Sequence, residues 1–130
     1  TSCPKLMNEA EWYDVDVITC AAPNLRERPS NRFNQGNGDR AVKVSDRELL
    51  EIHKKRLTRI LDVAVLNGDE AVILGAFGCG AFQNKPEVVA RAAKEVIADY
   101  LYAFKTIEFA VYCPPRDDTN FKVFEWVMGA

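Results

Sequence analysis

The sequence has one histidine, His53, and its four cysteines, Cys3, Cys20, Cys79 and Cys113, include no Cys-x-x-C pair. So few imidazoles and such scattered thiols signal neither a zinc cluster nor a disulfide framework, and no metal site is expected. Thiols spaced this way suit a reducing, cytoplasmic setting. No apolar run reaches the roughly 18 residues a membrane-spanning helix needs. Neither sign of charge dominates: 17 Lys and Arg against 19 Asp and Glu leave a net −2, which gives no footprint for direct nucleic-acid binding. The partners to expect are a small molecule or protein. No methionine opens the chain, which begins Thr1-Ser2-Cys3-Pro4 without a charged-then-apolar leader, so the expectation is a processed product or part of something longer.

What is present suits one domain over residues 1–130, burying about two-thirds of the surface its unfolded form exposes. The run Trp12-Tyr13-Asp14-Val15-Asp16-Val17-Ile18-Thr19-Cys20 is rich in aromatic and β-branched residues, and Ala21-Ala22-Pro23-Asn24 stops it; the pattern predicts a buried strand. Polar and turn-forming residues then crowd a long stretch with Phe33 as its only aromatic residue, and residues 25–44 read as a mobile loop. Ser45-Asp46-Arg47-Glu48 fits a capping box, and Leu49, His53, Leu57, Ile60, Leu61 and Ala64 recur behind it at helical steps, predicting an amphipathic helix that ends near Asn67-Gly68. A short strand over Ala71 to Leu74 follows. Pro86 then opens a second helical pattern, Val89, Ala92, Ala93, Val96, Ile97, Tyr100 and Phe104. Thr106 to Tyr112 alternates as a strand does, and Phe121, Phe124, Val127 and Met128 mark a last short helix.

Three β-α units in succession imply a mainly parallel sheet with helices on both faces. Three strands make a thin sheet with two unpaired edges, so further strands from an upstream segment, or a second copy in a homo-oligomer, are expected to cover them.

The densest signal lies between the second strand and the second helix, in Gly75-Ala76-Phe77-Gly78-Cys79-Gly80-Ala81-Phe82-Gln83-Asn84. Glycines allow a sharp turn and close approach of a ligand, and their exposed N–H groups beside a helix N-terminus favour an anion. A turn with nothing bound is the plain alternative. The order G-x-x-G-x-G is not the dinucleotide fingerprint, and no Gly-Lys-Ser/Thr follows.

With Ala21-Ala22-Pro23-Asn24 ending one strand and Gly78-Cys79-Gly80-Ala81-Phe82-x-Asn84-x-Pro86 ending the next, the chain resembles the microbial-type poly(ADP-ribose) glycohydrolases, which have the macrodomain fold. The resemblance runs from about Asp14 to Tyr112. It implies a three-layer α/β/α architecture, here incomplete, that binds ADP-ribose or poly(ADP-ribose) at the carboxyl ends of the strands. It implies that Gly78, Cys79, Gly80, Ala81 and Phe82 line the diphosphate, with the Phe82 ring against the distal ribose. Asn84, Pro23, Asn24 and Tyr112 would border the same site, and no cofactor is called for. The family's hydrolytic residues lie on a Gly-Gly-Gly loop followed by Gln-Glu-Glu, upstream of the strand matching Val15 to Cys20. No Gly-Gly or Glu-Glu pair occurs in this sequence, so no catalytic residue is expected in the chain.

Three functions compete. One is the diphosphate-binding part of a glycohydrolase-type macrodomain. A second is a non-catalytic ADP-ribose reader or an assembly module. The third makes Cys79 a nucleophile activated by a helix N-terminus, which the absence of a nearby general base disfavours. Arg26, Arg28, Arg32 and Arg40 read as solvated loop charges before they read as anion clamps, and His53 reads as a helix-face residue.

Overall fold

A computed structural model describes residues 5–30, 32, 38 and 40–129; Cys3 and the loop residues Phe33, Asn34, Gln35, Gly36 and Asn37 lie outside them. The first helix, α1, runs from Asp46 to Asn67 and starts where the capping box places it. Ser45 Oγ accepts from the Glu48 N–H at 3.3 Å, while Glu48 Oε2 accepts from the Ser45 N–H at 2.9 Å. Gly68 ends the helix in the left-handed conformation, φ 79°, and its N–H caps the carbonyls of Ala64 and Val65. Between these caps Leu49, His53, Leu57, Leu61 and Ala64 are buried along one face, as their spacing predicts.

Strand β1, Ala71–Leu74, pairs in parallel with β2, Thr106–Phe109, with Val72 opposite Ile107 and Leu74 opposite Phe109. The crossover between them carries α2, Pro86–Ile97, with Pro86 in its first turn where a missing N–H costs nothing. The helical periodicity through Phe104 tightens into a 3-10 turn at Ala98–Tyr100 before Phe104 turns inward. The last helix, α3, spans Thr119–Gly129 and buries Phe124 and Val127. Leu57, Leu61 and Ala64 of α1 meet Val72 and Leu74 of β1 and Ala92, Ala93 and Val96 of α2 in one cluster. Phe124 and Val127 join Val89 and Ala90 in a second, against the partly buried Phe77 and Phe109. Each buried leucine contributes about 1.5–3 kcal/mol by leaving water.

The α/β class and the parallel pairing agree with expectation, but two features differ. Residues 12–20 carry no regular secondary structure and no ladder partner among the described residues, and Val15 and Val17 are 67% and 81% exposed, where a buried strand was expected. An apolar, β-branched pattern makes a strand only where a neighbour offers its N–H and C=O groups at bonding distance. Here a groove of about 480 Å³ separates Asp14 to Cys20 from the free edge of β1. Secondly, all three helices pack on the sheet face that carries Val72, Leu74, Ile107 and Phe109. On the opposite face Ile73 is 71% exposed, so a second helical layer has no counterpart among the described residues. The described residues thus build an incomplete form of the expected three-layer arrangement.

Candidate functional site

The glycine turn leaves the carboxyl end of β1 beside the end of β2. Gly78 has φ +80°, and a Cβ built there would lie 2.5 Å from Ala22 Cβ and 2.8 Å from Asn84 Nδ2, so only glycine fits. The turn is closed by two hydrogen bonds of 3.0 Å, Cys79 N–H to Ala76 O and Gln83 N–H to Gly80 O. Gln83 takes φ 56°, unusual for a residue with a side chain. Within this frame the N–H groups of Gly80, Ala81 and Phe82 have no hydrogen-bond acceptor among the described residues. Space above Gly80 is open: a Cβ there would meet nothing within 4 Å.

Asn84 braces the turn from behind. Its side-chain Nδ2 donates towards three carbonyls, Pro23 O at 2.7 Å, Gly78 O at 3.0 Å and Phe82 O at 3.3 Å, while its backbone N–H donates to Gly78 O at 3.0 Å. Its Oδ1 lies 2.9 Å from Nε2 of His53, fully buried on α1. One amide thus joins the end of the 12–24 segment, the glycine turn and the first helix. Asn84, expected to border the ligand, is a buried structural hub. His53 had no assigned role in the sequence beyond its helix face; only its helical register with Leu49 and Leu57 announced that it would point inward.

The segment from Ala21 to Ser30 is held by further bonds. Arg56, one turn beyond His53 on α1, donates to Ala21 O at 2.6 Å, and the Leu25 N–H donates to Phe82 O at 3.0 Å. Asn24 turns inward on its own loop, donating to Pro29 O at 3.1 Å and accepting from Arg26 Nε at 3.1 Å. The Arg26 guanidinium also donates to Pro29 O at 2.7 Å and sits 5.6 Å above the Phe82 ring. Arg26 is therefore neither a free solvated charge nor an open anion clamp. Ser30 donates to Gly38 O at 2.7 Å, so the described part of the 25–44 loop is cross-braced.

On the other side of the turn, a cleft of about 470 Å³ is lined by Ala76, Cys79 and Gly80 of the turn, Ala110, Val111 and Tyr112 beyond β2, and Pro114, Asp117 and Asn120 before and within α3. Of the residues picked from sequence, Cys79, Gly80 and Tyr112 meet here. Tyr112 is 81% exposed and belongs to no core cluster. Ala81 is exposed at the tip, Phe82 is half-buried under Arg26, and Gly78, Pro23 and Asn84 form the brace. Asp117 and Asn120 escaped the sequence reading. They follow Pro114-Pro115 on the side where open parallel sheets collect ligands, and that placement was their one available signal.

The cleft's chemistry is that of a holder. Burial pushes the Cys79 thiol up to about 12, with Glu87 adding to the shift, so at neutral pH the sulfur is a protonated, poor nucleophile. Asp117 is the one carboxylate in the lining, and hydrogen bonds from Thr119 hold its pKa below the ordinary 3.8. It stays ionised and is no proton donor at neutral pH. No group of three or more His, Cys, Asp or Glu side chains that could hold a metal occurs among the described residues, and Cys20, Cys79 and Cys113 are free thiols. No helix among those residues is long and apolar enough to cross a membrane.

No protein-family model matches the chain, and no curated protein matches it. Solved structures do. The chain is similar to poly(ADP-ribose) glycohydrolase from Deinococcus radiodurans in complex with ADP-ribose, at 30% identity and a TM-score of 0.60 over 64% of this chain and 34% of that one. A second crystal form of that complex gives 32% identity and a TM-score of 0.58 over the same shares. The apo form aligns over 76% of this chain and 48% of its own, at 22% identity and a TM-score of 0.58, which speaks for the fold alone. The chain thus shares its α/β fold with part of that bacterial glycohydrolase and spans about a third to a half of its length.

Proposed function

We propose, from the likeness to a bacterial poly(ADP-ribose) glycohydrolase, that this chain binds ADP-ribose and supplies the diphosphate-holding part of a macrodomain-like site. The observation that carries it is the set of N–H groups at Gly80, Ala81 and Phe82, left without acceptors among the described residues at the carboxyl end of β1. A diphosphate is the ligand such a cradle suits, because each amide bonded to a charged oxygen contributes about 1.5–3 kcal/mol. In this arrangement Gly78 to Phe82 line the diphosphate, Tyr112 stacks on the adenine across the cleft, and Phe82, fixed by Arg26, faces the distal ribose. Pro23 and Asn24 shape the neighbouring wall, while Asn84 supports it from behind.

Cleavage of a glycosidic bond needs a proton donor, and the lining supplies none: Asp117 is held ionised, and the half-buried Cys79 thiol, raised to about 12, is too weak an acid. We therefore assign this chain a holding role, with any hydrolysis depending on groups outside it. An ADP-ribose reader is the same binding function without the cutting. The open β1 edge and the exposed Ile73 face are surfaces for further strands or a second copy to cover. Three free thiols favour a reducing, cytoplasmic location.

Titration calorimetry with ADP-ribose tests the assignment, alongside Gly80→Glu, which puts a carboxylate into the open space above the turn. Binding by the parent chain and its loss in the variant are expected. Equal binding by both moves the diphosphate elsewhere, and no heat from the parent chain removes the ADP-ribose reading.

A further inference from the structure

A buried hydrogen bond joins the ligand turn to α1, and its orientation is settled by its neighbours. The Asn84 side-chain atom facing Pro23 O, Gly78 O and Phe82 O must be the amide nitrogen, since an oxygen there would oppose three carbonyls. The atom facing His53 is then the amide oxygen, an acceptor. A neutral imidazole can satisfy it only with the proton on Nε2. Nδ1 is left as a buried lone pair without a partner, beside the Phe77 ring, which meets the imidazole edge-on at 5.5 Å between centroids.

The geometry points to His53 as a positioning residue for the ligand turn: its Nε2–H fixes the rotamer of the Asn84 amide, and that amide holds Pro23 O, Gly78 O and Phe82 O in the arrangement that frees the cradle N–H groups. This rests on the reading of the turn as the diphosphate site. If Asn84 rotates by half a turn about its amide axis, Oδ1 meets the three carbonyls, and the 22–25 segment keeps only the Leu25 N–H to Phe82 O hydrogen bond to the turn among the described residues. His53 Nε2–H opposes that rotation because it would then face the amide NH₂. Burial alone does not explain an imidazole here. With Nδ1 unsatisfied, a leucine would fill the core position without a ring nitrogen to bury, at the cost of leaving Asn84 Oδ1 without its donor. The histidine earns its place through the one atom that touches Asn84.

The test compares His53→Gln, whose side-chain NH₂ can still donate to Asn84, with His53→Leu, which fills the space but cannot. Three measurements are made on the full chain: imidazole ¹⁵N shifts, amide hydrogen exchange over residues 76–84, and ADP-ribose titration. The expected result is an Nε2–H tautomer in the parent chain. Faster exchange in the turn and about tenfold weaker ADP-ribose binding are expected for His53→Leu, with His53→Gln near the parent in both. An Nδ1–H tautomer overturns the inference, as does a folded His53→Leu variant with parental exchange and affinity. Should His53→Leu not fold, the tautomer and the His53→Gln exchange pattern decide. Should the parent chain not bind ADP-ribose, the diphosphate reading fails, while tautomer and exchange still judge the His53–Asn84 brace.

Discussion

Gly78 and Ala22 stand so close that a Cβ on Gly78 would lie 2.5 Å from that of Ala22, so the two motifs picked out of the sequence press against each other in the folded chain. Gly78→Ala meets this contact and a φ of +80° together. It is expected to destabilise the protein by about 2–4 kcal/mol, combining left-handed strain with overpacking. Gly80→Ala meets nothing within 4 Å and should shift stability by under about 0.5 kcal/mol. Urea unfolding of the two variants side by side checks the contrast.

Asn84→Ala leaves the His53 Nε2–H and Pro23 O without their partner in a buried site. A loss of about 2–4 kcal/mol is expected, from unsatisfied groups and a cavity together. Asn84→Asp keeps an acceptor for His53 but sets an oxygen against three carbonyls, so it should fall no higher than the alanine variant in thermal melts.

His53 makes stability acid-sensitive near neutrality. Loss of solvent holds its pKa below the ordinary 6.5, the Asn84 bond works in the opposite direction, and the Arg56 charge on α1 adds to the lowering. From the turn, the groups known to touch it are the uncharged Phe77 ring and Asn84 amide. A base with a depressed folded pKa binds its proton first in the unfolded state. Its contribution is thus complete above about pH 6.5 and lost as pH falls through the folded value. Unfolding free energies measured down that range should decline more steeply for the parent chain than for His53→Gln. Parallel curves would show that His53 does not titrate in this way.

Cys79 and Cys113 should react very differently. Cys113 is exposed, whereas the Cys79 thiol is half-buried and raised to about 12. Brief iodoacetamide treatment at neutral pH, read by peptide mass spectrometry, should label Cys113 well ahead of Cys79. Preferential labelling of Cys79 would revive a nucleophilic role.

Ser45→Ala removes one half of the reciprocal cap on α1 and is expected to cost about 1 kcal/mol. The loss should appear in chemical unfolding with no change in ADP-ribose affinity, since the cap lies about three turns from Arg56 and touches no part of the cleft.

The three helices and the β1–β2 pair were legible because each carries its own local instructions. Ser45 with Glu48 and Gly68 bracket α1, Pro86 opens α2, and apolar residues return at the helical period between them. The glycine turn was legible as a turn for the same reason, since a φ of +80° at Gly78 is a local demand that one residue type meets. Residues 12–20 were misread because their pattern describes what a strand would bury, while its hydrogen bonds depend on a neighbour the pattern cannot name. Asn84 was expected at the border of the site because of its place in the motif, and its partners at positions 23 and 53 are distant in sequence.

Sequence by itself therefore determined where helices begin and end, which faces turn inward, and that a glycine-rich turn follows β1. These follow from backbone sterics, capping and periodicity within a few residues. Tertiary structure decided that His53 reaches Asn84, that Arg26 lies over Phe82 rather than in solvent, and that residues 14–20 stand off the edge of β1. Each of these depends on which donor and acceptor are brought together once α1 packs against the turn, and that pairing is fixed only when the intervening chain has folded.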